Sequence, residues 1–188
     1  MAFAACRARG TIAVFVFARA VIARCYRFMS ELRSRLLQAL ADATPPLDPA
    51  SAPPQDPPAG EDLLSAWLHP WLGAHCLVRV DWKDFSTLGV QAVTGLAALR
   101  AAGVTAIDVD DLYDEDGIPL GGDDNDFDME PAALYLAHVN RELAPHGMQL
   151  LEIGHFEDAW LLAVRNDPGA IRALNAALRP MGLAAQQY

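Results

Sequence analysis

Seven prolines crowd into the stretch from residue 45 to residue 58: Pro45, Pro46, Pro49, Pro53, Pro54, Pro57 and Pro58. Each fixes φ and removes an amide donor, so neither a helix nor a strand ladder runs through residues 43–60. The chain is thereby divided before any other signal is read. A short helix is predicted over 29–42, an extended, semi-rigid linker over 43–60, and a body over 61–188. Ser30 is placed to cap the short helix, which carries Leu32, Leu36 and Leu40 on one face. The run Pro53-Pro54-Gln55-Asp56-Pro57-Pro58 has the form of a polyproline ligand, but it lacks flanking bases, which favours a linker.

Within the body the periodicity alternates. Leu63, Leu64, Trp67, Leu68 and Trp71 recur at helical spacing, Cys76–Val80 is a short β run, and residues 85–102 predict a helix with Val90, Val93 and Ala97 inward, closed by Gly103. Val104–Val109 predicts a second strand. Met129, Ala132, Ala133, Leu136, Val139 and Leu143 form an amphipathic stripe, with Pro131 suited to the first turn and Gly147 past the end. Met148–Ile153 and Ala159–Val164 are close enough to pair as a hairpin across Gly154–Asp158. Asp167-Pro168 then opens a helix with Ile171, Leu174 and Leu178 inward, and Leu183–Gln187 has the composition of a returning edge strand. This order predicts an α+β fold: a single domain with a mixed or mostly antiparallel sheet and helices packed on it. No internal repeat is evident.

Charge separates the N-terminus from the rest. The chain has 14 basic and 24 acidic residues, a net charge of −10, which argues against a role driven by attraction to nucleic-acid phosphate. Residues 1–28 hold Arg7, Arg9, Arg19, Arg24 and Arg27 and no acid, so all 24 acids lie beyond them. Three readings fit this basic leader: a start codon placed too early, with Met29 as the true start; an export or targeting segment; or a helix lying on a membrane surface. None of it has the ~20 consecutive apolar residues of a membrane span. Cys6 and Cys25 fall in the leader, which leaves Cys76 alone in the body without a disulfide partner and makes the cytoplasm the default compartment, with export as the alternative if the leader is a signal.

Phosphate loops, dinucleotide turns, nucleophile elbows and zinc-protease helices are absent from the sequence. The strongest chemical feature is the segment 108–130, where eleven of 23 residues are acidic and none is basic. Crowded carboxylates repel one another, and a basic partner or a cation relieves that repulsion. Asp110, Asp111, Asp114, Asp116, Asp123, Asp124 and Asp126 are therefore the candidate partner-binding residues. Asp114-x-Asp116-Gly117 is similar to the middle of a calcium loop, which makes Asp114, Asp116 and Asp123 candidate ligands for Ca²⁺ or Mg²⁺. The register fails at its ends, because Leu112 stands at the first ligand position and Asp123 at the twelfth. Asp81, Trp82, Lys83 and Asp84, at the exit of the first strand, are a second candidate group. His155, Glu157 and Asp158 share the hairpin loop and read as turn chemistry. His75 and Cys76, as strand neighbours, point to opposite faces, so Cys76 reads as a buried small residue. His69, His138 and His146 are scattered near helix ends or faces.

The strand-exit Asp81-Trp82-Lys83 and the hairpin followed by the Asp167-Pro168 helix resemble small bacterial proteins of the domain-of-unknown-function type, some of them immunity-like. The resemblance covers about residues 61–188, carries over no active site and implies little weight for catalysis; no cofactor is expected, with Ca²⁺ or Mg²⁺ as the alternative. Two readings follow: a binding or immunity-like protein that meets a basic partner through residues 108–130, or a divalent-metal module, with enzymatic potential, that uses the same aspartates.

Overall fold

A computed structural model describes residues 24, 26–81, 88–108, 131–154 and 158–188. The first helix, α1, covers residues 26–43, and its stripe of Leu32, Leu36, Ala39, Leu40 and Ala43 is buried in the same core as the remainder of the body. The helix therefore starts before Met29, and residue 61 does not mark the edge of the folded unit.

The proline-rich segment does not form the extended tether its composition suggests. Its prolines do exclude long regular structure, leaving one 3₁₀ turn at Pro49–Ser51 capped by Asp48. Its backbone carbonyls and the Ser51 side-chain hydroxyl can still accept, however, and the rest of the protein supplies donors. Arg33 donates to the Pro53 carbonyl at 2.9 Å, and the Trp67 indole donates to the Gln55 carbonyl at 3.1 Å. The Trp71 indole donates to Ser51 Oγ at 2.8 Å, and the Gly60 N–H donates to the Met181 carbonyl at 2.8 Å. The segment is thus strapped along α1, the next helix and the turn before the last strand.

That next helix, α2, covers residues 61–72 and widens to a π-turn over Leu63–Leu68, where the His69 N–H bonds the Leu64 carbonyl. Pro70 follows directly; it has no N–H to return to the preceding turn, and such defects relieve that mismatch. Strand β1 is Leu77–Asp81. Only part of the helix expected over 85–102 lies within the described residues, and it is divided: α3 is Leu88–Thr94 and α4 is Ala97–Ala101, with Gly95 and Leu96 between them. Helix α5 is Pro131–Leu143, followed by a 3₁₀ turn at Ala144–His146 and Gly147 at φ 68°. The left-handed conformation there is accessible to glycine without steric cost.

Strands β2, Met148–Ile153, and β3, Asp158–Arg165, form the predicted antiparallel hairpin. Helix α6, Pro168–Leu178, starts where Asp167 Oδ1 accepts from the N–H groups of Gly169 and Ala170. Strand β4 is Ala185–Gln186. The sheet order is β1-β3-β2-β4, with every neighbouring pair antiparallel, so the fold is α+β. Every residue of β2 is buried, as are Ala159–Val164 of β3, which means that the two central strands are covered on both faces.

Two strand–helix–strand units interlock in this sheet. β1 and β2 both run antiparallel to β3, so they are parallel to each other with β3 between them; in the same way β3 and β4 enclose β2. The sequence does carry a short matching internal repeat, contrary to the expectation of none. Asn-x-x-Leu-x-Pro-x-Gly occurs at 140–147 and again at 175–182, each time from the last turns of the helix to the left-handed glycine before the strand. Both asparagines do the same work. Asn140 Oδ1 accepts from the Leu150 N–H at 2.6 Å while its Nδ2 donates to the Leu150 carbonyl at 3.1 Å. Asn175 grips Ala185 in the same way, at 2.7 and 3.0 Å.

The segment expected as a strand from Val104 has no ladder over residues 104–108. It lies along α5 instead, held where His146 Nδ1 meets the Ala102 carbonyl at 3.2 Å and where His138 Nε2 meets the Asp108 carbonyl at 2.6 Å. Val104 and Ile107 are its buried residues, three apart rather than two.

Candidate functional site

The described residues that flank the acidic segment are held on α5. His138 is on the buried face of α5, at 6% exposure, between the core residues Tyr135, Leu136 and Val139. Its Nδ1 lies 2.7 Å from Arg141 Nη2. A guanidinium has only donors, so Nδ1 must accept, and the proton of the neutral ring resides on Nε2. That N–H donates to the Asp108 carbonyl at 2.6 Å. Asp108 is therefore fixed against the middle of α5, and Pro131, the next described residue, is the first residue of the same helix. The two anchor points on α5 are separated by seven residues, about 10 Å along its axis.

Asp108 itself is exposed. Asp110, Asp111, Asp114, Asp116, Asp123, Asp124 and Asp126, the candidate partner and metal residues, lie outside the described residues. Among the described residues, no group of three histidine, cysteine or acidic side chains is arranged to hold a metal ion.

The second candidate group sits at the exit of β1. Asp81 is directly opposite Asp158 across the β1–β3 ladder, a like-charge pairing that is unfavourable unless a cation intervenes. Arg79 supplies one, forming an ion pair with Asp158. Arg79 is also opposite Trp160, with its guanidinium carbon 5.8 Å from the ring centroid. On the same face, His69 of α2 meets Trp160 edge-on at 5.4 Å. Gly73 lies one turn on from His69, and a Cβ there would stand 2.6 Å from the His69 carbonyl oxygen. Trp82, Lys83 and Asp84 lie outside the described residues, as do His155 and Glu157.

Cys76 is fully buried, and burial pushes its thiol up to about 12. A thiol that does not ionise near neutral pH is no nucleophile. His75 turns away from it, with Nε2 3.4 Å from the Pro45 carbonyl. The pair is thus packing, but in the turn that precedes β1 rather than on the strand where alternation was expected to separate them. His138 is the anchoring residue that sequence reasoning passed over; its signal was Arg141, one helical turn on, beside an apolar stripe. No protein-family model, curated protein or solved structure matches the chain.

Proposed function

We propose that the protein is a non-catalytic binding protein, immunity-like in mode, that meets a basic protein partner through the acidic segment 108–130. One observation carries this reading: eleven carboxylates with no base among them belong to a segment whose two ends are fixed on a single helix, at Asp108 through His138 and at Pro131. Eleven like charges close in sequence make a negative potential that raises the encounter rate with a cation-rich surface. Burial of Cys76, which pushes its thiol up to about 12, disfavours its use as a nucleophile.

The test replaces Asp114, Asp116, Asp123, Asp124 and Asp126 with Asn and measures association with a fluorescent deca-arginine peptide by stopped flow. At low salt the variant is expected to associate at least about tenfold more slowly than wild type. The two should converge near 1 M salt, where the screening length is about 3 Å. Equal rates at low salt would overturn the reading. So would calorimetric titrations in which wild type binds Ca²⁺, Mg²⁺ or Mn²⁺ saturably and the variant does not, since that result assigns the segment to metal.

A further inference from the structure

Helix α1 outruns the core that covers its apolar side. Leu32, Leu36 and Leu40 are at most 7% exposed, whereas Tyr26 and Phe28 are 70% and 56% exposed. Tyr26 precedes the half-buried Met29 by three positions and Phe28 precedes Leu32 by four, so both continue the apolar stripe beyond the protein beneath it. Arg24 and Arg27 continue the opposite, exposed row of Glu31 and Ser34. About 9 Å of helix between Tyr26 and Leu32 is therefore aromatic on one side, cationic on the other, and without a partner among the described residues. Arg7, Arg9 and Arg19 precede it with no acid anywhere through Phe28.

A helix end with arginines on one side and aromatics on the other suits the headgroup layer of an anionic bilayer, where the rings enter the acyl boundary and the guanidinium groups meet lipid phosphate. We propose that Arg24, Tyr26, Arg27 and Phe28 form an interfacial anchor that docks the protein on an anionic phospholipid surface. A second copy is a poor occupant of this face, because it would bring two acid-free, arginine-rich segments together. The body cannot imitate the effect: all 24 acids lie beyond residue 28, against nine bases, so such a surface repels it.

The test sediments the full chain with vesicles of phosphatidylcholine alone, or of phosphatidylcholine and phosphatidylglycerol in equal parts. The protein is expected to pellet with the anionic vesicles only. Tyr26→Ser/Phe28→Ser should weaken that binding several-fold, and Arg24→Gln/Arg27→Gln should weaken it by about fivefold per charge removed. These positions are exposed, so circular dichroism should show both variants folded. Failure of the full chain to pellet with anionic vesicles would overturn the proposal, as would pelleting by either variant equal to wild type. A dimer in lipid-free solution that Tyr26→Ser/Phe28→Ser converts to a monomer would also overturn it, by assigning the face to a second copy.

Discussion

Asn140 grips Leu150 as a neighbouring strand would, accepting from its N–H and donating to its carbonyl. β4 pairs with β2 only at Glu152 and Ile153, so at Leu150 the outer side of β2 has no strand beside it. The amide takes the missing strand's place, satisfying backbone groups that burial would otherwise leave orphaned. Asn140→Ala is expected to destabilise the fold by about 1–3 kcal/mol, because it leaves both groups of a fully buried residue unpaired. Asn175→Ala should cost less, since Ala185 is half-buried on a two-residue edge strand. Urea denaturation of the two variants checks the ranking, and equal costs would mean that the clamps do not act through burial.

Leu136 is 1% exposed on the inner face of α5. Leu136→Ala is expected to destabilise by about 2–5 kcal/mol through lost contacts and a residual cavity. A change under about 0.5 kcal/mol, the range of ordinary surface substitutions, would place Leu136 on the outer face.

Cys76 links stability to alkaline pH. Its folded value, about 12, lies above the ordinary 9.0, so between those two values the unfolded chain releases the thiol proton and the folded protein keeps it. The resulting stabilisation is complete below the ordinary value and is lost as pH rises through the folded one, by up to about 4 kcal/mol. Wild type should therefore lose its stability margin over Cys76→Ala between about pH 9 and 12. Thermal midpoints of the two proteins, compared across that range, isolate the thiol because every other ionisation is shared. A constant difference would rule the linkage out.

What the sequence made legible was chemistry that acts locally. Asp167-Pro168 states its own cap and first turn, and the continuous apolar runs of β2 and β3 match strands covered on both faces. Chemistry that acts at a distance was not legible. Prolines 45–58 announce what their backbone cannot form, but not that Trp67, Trp71 and Arg33 will donate to it. Val104 and Ile107 read as strand residues because an extended chain lying along a helix is as apolar as one in a sheet; only their spacing of three marks the difference. The candidate site shows the same division. Its charge stands in the sequence, whereas the His138 anchor depends on a contact 30 residues away from Asp108.

The interlocked order β1-β3-β2-β4 decides how the sheet can come into being. Neither strand–helix–strand unit contains two adjacent strands, since each one's pair is separated by a strand of the other. Among the described residues neither half has a ladder of its own to nucleate on, and the only short-range strand pairing is the β2–β3 hairpin at their junction. The junction of the two repeats is thus the one place where order arises cheaply, and both outer strands have to be recruited to it across long loops. A duplicated pattern in the sequence has become a single indivisible unit of cooperativity.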